Sequence, residues 1–513
     1  MKRPLVIHPF LFGLFPILFL FAHNIGEVSS SEILLPTAIV LGFTLLLLLL
    51  SRLILKDNQK AGIVVSIFLV LVFSYGHVRE ATGWGRIIME RYLFLSWSIL
   101  FICGAYSIIR TQRDLHNFTK ILNIVATFLV VISLINILPY KLKTWFISQD
   151  MKSTENMRTD LANSTKVDTL PDIYYIILDR YASASTLKEI YNFDNSEFIN
   201  CLSDKGFYLA SKSKSNYLCT AHSLAASLNM EYINYLSDKT GRKSNDRMPI
   251  FAMLQDYKVW RFLKSKGYEL IHLGSAWHPT SRNKYADINY NWPLSLEFPL
   301  LLYKTTMLHS IDNKLGITEF GNDNLRQWKR ILYEFDKLAE IPNMEEPTFT
   351  FAHMLLPHLP FVFDRNGNFL SKEEAKKRSR VVNYLDQLIF ANKKIKVLVD
   401  KLMAKSASPP IIILQADEGP DPQRYSNDRL DFNWKQATVM ELREKTRILN
   451  AYYLPGINKN ALYPSITPVN SFRLIFDLYF DTHFELLPDK TYAFVDQSHI
   501  YDFFEVTAKV EYE

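Results

Sequence analysis

The chain has 513 residues, of which 48% are hydrophobic, 14% aromatic and 21% charged, and its net charge is +6. The positive excess is spread along the chain without a basic tract, so nothing here asks for nucleic acid, and a membrane surface is the simpler partner. Three cysteines give no disulfide framework: Cys103 falls inside an apolar run, and Cys201 and Cys219 pair only if the fold brings them together.

In chain order, the first 140 residues hold five apolar runs, over 5–22, 33–55, 61–78, 92–109 and 121–138. Each is near the ~20 residues that cross a bilayer as a helix. Charges are nearly absent from them, which argues against buried helices of a soluble protein. Lys2 and Arg3 before the first run resemble the start of a signal peptide, but no small-residue cleavage site follows, so the run reads as an anchor. Lys2, Arg3, Arg52, Lys56, Lys60, Arg110, Arg113 and Lys120 fall on one side of these spans. The other side carries Arg79, Arg86 and Arg91, partly matched by Glu80 and Glu90, with Glu27 and Glu32 in the first loop. Cytoplasmic loops carry the excess of Lys and Arg, so the first side is expected inside and the C-terminal part outside the cytoplasm. Lys141 and Lys143 run against that bias. The expected division is a transmembrane domain over 1–140, a polar linker over 141–170 and an extracytoplasmic domain over 171–513.

The outer part alternates strand and helix signals. PDIYYIILD (171–179) is an apolar strand ending in Asp179, and IIILQADEG (411–419) is another ending in Asp417 and Glu418. Between them, helical patterns are expected over 185–191, 196–205, 221–235 and 250–266, the last closed by Gly267. A strand is expected over 269–273, a second over 348–355, and a long helix over 372–405. Thr467 and Pro468 look like a capped helix start. Such alternation predicts an α/β sandwich with a mostly parallel sheet covered on both faces.

Carboxylates at the carboxyl ends of buried strands converge where ligands bind in such a sheet, which makes Asp179, Asp417 and Glu418 the first candidates for a metal site. SNYLCTAHSLAASLN (215–229) places Thr220 at the start of a helix of small residues. Its hydroxyl faces the positive end of the helix, and either caps that helix or serves as a reactive oxygen. His353 and His358 flank Pro357 and Pro360 beyond a strand, as strand caps or as chemistry. Trp277, His278 and Arg282 share a loop that suits stacking on and charging a polar head group, or ordinary packing. His222 is expected on the helix surface, and His483 has no motif around it. The glycines form no Walker or dinucleotide signature.

The strand ending in Asp179, the Thr220 helix start, His353 and His358 in HMLLPHLPFVFD, and the acidic pair before Gly419 resemble the alkaline phosphatase and sulfatase superfamily. With five spans ahead of the head, the chain is most similar to the lipoteichoic-acid-synthase-like branch and its phosphoethanolamine-transferase relatives. The resemblance implies an alkaline-phosphatase-like head and a metal cage. In it Asp179 is a ligand, Thr220 is both ligand and nucleophile, Asp417 and Glu418 complete the cage, and His353 or His358 binds the transferred group. Glu418 stands where the better-known members have His. Four oxygen donors suit one Mn²⁺, Mg²⁺ or Ca²⁺ better than Zn²⁺, and the cations available to offset the surplus acid are Arg180, His353, His358 and Arg424. Formylglycine chemistry is not implied, because Ala221 and Ser223 replace the Pro and Arg of C-x-P-x-R after Cys219. The implied activity is transfer of a phosphoglycerol- or phosphoethanolamine-type group from a membrane lipid to an envelope glycan or lipid through a phospho-threonine. Ester hydrolysis and a catalytically silent role in envelope assembly are the alternatives. The implied location is a bacterial cytoplasmic (inner) membrane.

Overall fold

The computed structural model describes residues 4–25, 30–81, 87–155, 170–292, 297–315, 322–344 and 346–512. Lys2, Arg3, Glu27, Arg86 and residues 156–169 of the expected linker lie outside them. The chain forms two compact units: Met1–Thr154 with Leu296–Asp323, and Glu155–Ser295 with Asn324–Glu513.

The first unit holds five N-terminal helices: α1 (His8–His23), α2 (Leu34–Leu55), α3 (Asn58–Ala81), α4 (Ile87–Arg110) and α5 (His116–Glu155). Four of them, α2 to α5, contain stretches long and apolar enough to cross a membrane, and α1 is a shorter apolar helix of 16 residues. On α2, Leu45, Leu46, Leu49, Leu50 and Leu53 are exposed; such a continuous apolar face belongs in lipid, where burial among lipid tails replaces burial in a core. α5 stays helical to Glu155, beyond the boundary expected at residue 140.

The segment 296–323, expected as part of the outer domain, belongs to this unit. It supplies helices Glu297–Thr305 and Met307–Leu315. Phe298 is fully buried and meets Phe21 edge-on at 6.3 Å, and Leu302 joins the same cluster with Ile17, Leu20 and Phe73. Gly76 permits the approach, since a Cβ there would sit 2.5 Å from the Thr305 carbonyl oxygen.

The second unit is built on a seven-stranded sheet of β1 (Ile173–Leu178), β2 (Tyr208–Leu209), β3 (Glu269–Gly274), β4 (Ile288–Asn291), β5 (Thr348–Met354), β6 (Ile411–Gln415) and β7 (Asn450–Tyr453). The order is β2-β7-β6-β1-β5-β3-β4. From β6 to β4 all neighbours are parallel, while β7 runs antiparallel to both β6 and β2. β1 lies at the centre with every residue buried. Its alternating side chains serve two faces: Tyr174, Ile176 and Leu178 join a core with Leu388, Ile395 and Leu402 of the Arg380–Lys405 helix. On the other face Tyr175 meets Phe472 edge-on at 5.0 Å and donates a hydrogen bond to Ser227. This is the α/β sandwich expected from the alternation of elements.

Local differences have local causes. The helix expected over 250–266 is two, Met248–Gln255 and Lys258–Ser265, parted where Asp256 and Tyr257 turn to extended backbone. The helix expected over 372–405 is likewise split, because Ser379 caps a new start by accepting from the Val382 N–H. Thr467 stands at the N-cap position of Pro468–Phe480, but its hydroxyl donates to Asp489 instead of capping.

Candidate metal centre

Three adjacent parallel strands bring the candidate residues together. Asp179 follows β1 directly, and its N–H donates to the Met354 carbonyl at 3.0 Å. His353 sits in β5, in register with Ile177 of β1. Asp417 lies two residues past the end of β6, on the other side of β1. Arg180 takes a left-handed turn (φ 63°), which aims its N–H at Asp417 Oδ1, 3.3 Å away. The result is the crevice outside the carboxyl ends of a parallel sheet.

Asp179, His353 and Asp417 are each at most 2% exposed, and each offers a ligand atom within 4.8 Å of the others. Asp179 Oδ1, Asp417 Oδ2 and His353 Nε2 have no hydrogen-bond partner. Buried polar atoms are seldom left unpaired, and unpaired atoms on three residues that approach one another this closely fit a divalent cation. His353 Nδ1 is 2.8 Å from Thr280 Oγ1, a contact that fixes the ring and leaves Nε2 facing Asp179 Oδ2 at 3.5 Å.

Thr220 is the first residue of the Thr220–Asn229 helix, and Cys219, not Thr220, holds the N-cap position. The Thr220 side chain is half-buried and lies near enough to the Asp417 carboxylate to act on its pKa. Its oxygen therefore sits at the positive end of a helix and beside the convergent carboxylates, reachable from solvent.

Glu418 is arranged otherwise. Its Oε1 is 2.9 Å from Lys445 Nζ and 3.4 Å from Arg180 Nε, while Asp421 lies 2.5 Å from both Lys445 Nζ and Arg180 Nη1. The structure thus ties an oxygen of Glu418 to two cations and puts the His353 imidazole among the converging donors. The grouped side chains are thus Asp179, His353 and Asp417, with nitrogen and oxygen donors together. Asp179, Asp417, Glu418 and Asp421 against Arg180 and Lys445 leave two negative charges unmatched, and one divalent cation balances them.

Electrostatics follow from this crowding. Burial, then the charges of Asp179 and Glu418, push Asp417 well above the usual carboxylate range, against the opposing effects of the Thr220 side chain and Lys445. Burial also opposes the charge of Asp421, but Lys445 and Arg180 outweigh it and hold Asp421 below that range. His358 is drawn down to about 4 by burial and by Arg180, so it is neutral at pH 7.

The remaining candidates lie at different places. His358 Nδ1 hydrogen-bonds the Leu359 carbonyl, and the ring is close enough to Asp179 and Arg180 for each to move its pKa. Trp277 meets the His353 ring edge-on at 5.7 Å and packs on Phe251, which fits both stacking and support of the imidazole. His278 opens the short turn His278–Thr280 and is half-buried, while Arg282 is exposed. Arg424 is committed elsewhere, to a two-pronged pair with Glu441 at 2.9 and 2.8 Å over the Phe432 ring. His222, expected at the surface, is buried with its ring stacked 5.7 Å from Phe494 and Nε2 3.0 Å from the Ile500 carbonyl oxygen. All three cysteines are free.

The sequence reading missed Lys445, Asp421 and Thr280. Lys445 lies in the charged helix Val439–Thr446, where a lysine ordinarily faces water; here it is 1% exposed. Its one local signal is the spacing of three from Leu442, which is buried on the same helix, too weak a signal to use.

No protein-family model matches the chain, and no curated protein matches it. Among solved structures it is similar to the C-terminal periplasmic domain of EptC from Escherichia coli in complex with Zn, at 11% identity and a TM-score of 0.43, over 66% of this chain and 98% of that one. The integral membrane lipooligosaccharide phosphoethanolamine transferase A of Neisseria meningitidis aligns over 92% of this chain and 95% of its own, at 12% identity and a TM-score of 0.39. The C-terminal periplasmic domain of phosphoethanolamine transferase EptC from Campylobacter jejuni matches at 9% identity and a TM-score of 0.37, over 61% of this chain and 90% of that one.

Proposed function

We propose that the chain is a membrane-anchored, metal-dependent phosphotransferase whose nucleophile is Thr220 and whose head lies outside a bacterial cytoplasmic membrane. The observation that carries this reading is the Thr220 side chain beside Asp417, next to three buried residues whose ligand atoms come within 4.8 Å of one another and which each keep an unpartnered donor atom. Asp179, Asp417, His353 and Thr220 would hold the ion. Two carboxylates, a hydroxyl and one imidazole suit Mn²⁺ and also admit Zn²⁺, since the preference for oxygen-loving ions rested on Glu418 as a fourth donor. A bound divalent ion supplies charge neutralisation at the phosphoryl oxygens and a lower hydroxyl pKa.

The rest is the work of the chain. Thr220 Oγ forms a P–O bond to the donor phosphorus and gives its proton toward Asp417, while the P–O bond to the lipid breaks and the departing lipid oxygen takes up a proton from solvent. An acceptor hydroxyl then attacks the same phosphorus, neutral His358 receives its proton and later returns it to solvent, and the bond to Thr220 Oγ breaks as that oxygen recovers its proton from Asp417. Trp277, edge-on to the His353 ring, and His278, the next residue in the same loop, would serve the head group. The donor is a membrane lipid, which accounts for the apolar helices on the same chain, and the acceptor is an envelope glycan or lipid. Because Thr220 is half-exposed, water is a competing acceptor, and the second reading is hydrolysis of the same adduct.

Incubating the purified chain with a lipid extract and digesting it for mass spectrometry should reveal a phosphoester head group on Thr220 that is absent from Thr220→Ala. A released lipid without glycan or lipid product indicates hydrolysis. Absence of both adduct and metal would leave only the catalytically silent role.

A further inference from the structure

Resting on the reading of Asp179, Thr220, His353 and Asp417 as the metal centre, we propose that Lys445 is a built-in second cation. Its ammonium occupies an oxygen cage beside that centre, withholds Glu418 from the ion and fixes the stoichiometry at one divalent ion per chain.

The cage is explicit. Lys445 Nζ lies 2.9 Å from Glu418 Oε1, 2.5 Å from Asp421 Oδ1 and 3.5 Å from the Gly419 carbonyl oxygen, with Lys445 only 1% exposed. Two carboxylates and a carbonyl are the donor types that hard divalent cations take. A compact ammonium is the protein's own equivalent of such an ion, with one charge in place of two. Arg180 supplies the other charge, at 2.5 Å from Asp421 Oδ2 and 3.4 Å from Glu418 Oε1.

The four acids therefore sort into two sets. Glu418 and Asp421 pair with Lys445 and Arg180, whereas Asp179 and Asp417 have their ligand atoms grouped with His353. Among the described residues, Glu418 is not one of those whose donor atoms converge within 4.8 Å. Glu418 Oε2 is also without a hydrogen-bond partner, so an oxygen remains for a cation if the ammonium is taken away.

The backbone fixes the ammonium's place. The Gly419 N–H donates to the Lys445 carbonyl at 2.8 Å, and a Cβ on Gly419 would lie 2.1 Å from the Glu444 carbonyl oxygen. The lysine backbone is thus pressed against the turn that carries Asp417 and Glu418. Lys445 is accordingly a positioning residue, acting on the centre through Glu418 and touching none of its donors directly.

Metal counting on the full chain tests this, with Mn²⁺ as the probe after chelator stripping, by equilibrium dialysis and elemental analysis. The wild type should bind one Mn²⁺. Glu418→Gln should also bind one, within about threefold of the wild-type affinity, because Glu418 is not a ligand. Lys445→Met should bind two, Lys445→Arg one, and Lys445→Met with Glu418→Gln one again. A tenfold or greater loss of Mn²⁺ affinity in Glu418→Gln makes Glu418 a ligand and overturns the proposal while leaving the metal centre standing. A cooperatively melting Lys445→Met that still binds one ion overturns it as well. If Lys445→Met does not fold, the Glu418→Gln affinity decides. A wild type that binds no Mn²⁺ overturns both the proposal and the centre it rests on.

Discussion

Asp417 shows most sharply what the site costs the fold. It is 2% exposed, faces Asp179 and Glu418, and is driven upward in pKa by burial and by those charges. Without an ion such a group is a net liability, because removing a carboxylate from water is expensive unless it is paired. Asp417→Asn keeps the shape and removes the charge. The expected outcome is loss of metal binding together with a gain in stability of the metal-free protein of about 1–2 kcal/mol. Melting and dialysis on the same samples check both halves, and a variant less stable than metal-free wild type would show that the carboxylate is not strained. Arg424 and Lys445 make the complementary point about reading single residues. The arginine that sequence context recommended is bound to Glu441, and the lysine it passed over is the one buried against the site.

At the scale of elements, two close contacts set the geometry. The turn after β6 touches the Val439–Thr446 helix at Gly419, where any side chain would meet backbone oxygen. Neither neighbour is the free end of a flexible side chain, so Gly419→Ala must move one element. We expect a loss of about 3 kcal/mol in denaturant unfolding, as for other overpacked sites, together with weaker Mn²⁺ binding as Lys445 shifts.

The Thr220–Asn229 helix carries the second contact, through His222. Buried among aromatic rings, with burial and then Arg247 as the causes, this imidazole is lowered to about 3. A group whose folded pKa lies below its unfolded value of about 6.5 contributes stability that is complete above pH 6.5 and is lost as pH falls from 6.5 toward 3. The unfolded chain binds the proton first, so the folding constant should drop by about tenfold per pH unit from this residue alone. His222→Phe should flatten that slope between pH 6.5 and 4 in melting experiments, and an unchanged slope would assign the acid sensitivity to other groups.

For the whole molecule, the division of the chain has practical consequences. Residues 296–323 interrupt the sequence of the head yet fold with the apolar helices, placing Phe298 and Leu302 in that unit's core. A head cut simply at residue 170 would expose those side chains and should elute from size-exclusion columns as aggregate. Replacing 296–323 by a short Gly/Ser linker in the same truncation should restore a monodisperse peak. In the intact chain, stripping the ion should lower the melting of the head alone. The expected loss is about 2.7 kcal/mol when the metal had been present at 100 times its dissociation constant. Calorimetry with and without chelator checks this.

The sequence by itself determined the five apolar helices, the α/β head and the carboxylates at the ends of β1 and β6. Those features are periodic or contiguous along the chain: apolar length marks a membrane helix, and a buried strand running into an acid marks the mouth of a parallel sheet. Asp179 and Asp417 were legible as candidates for that reason, and Thr220 as a candidate from the helix start it marks. Only the tertiary structure decided the partners of each acid. Glu418 follows Asp417 by one residue and looks equivalent to it, yet Lys445, from a helix 27 positions on, claims it. His353 faces the donors because β5 lies beside β1 in a register that local sequence does not encode. The same holds for 296–323, whose apolar face fits a head core or a membrane bundle equally well as a string of letters. Charge pairing, strand register and the choice of core are contacts between distant segments, and no local pattern fixes them before the chain has folded.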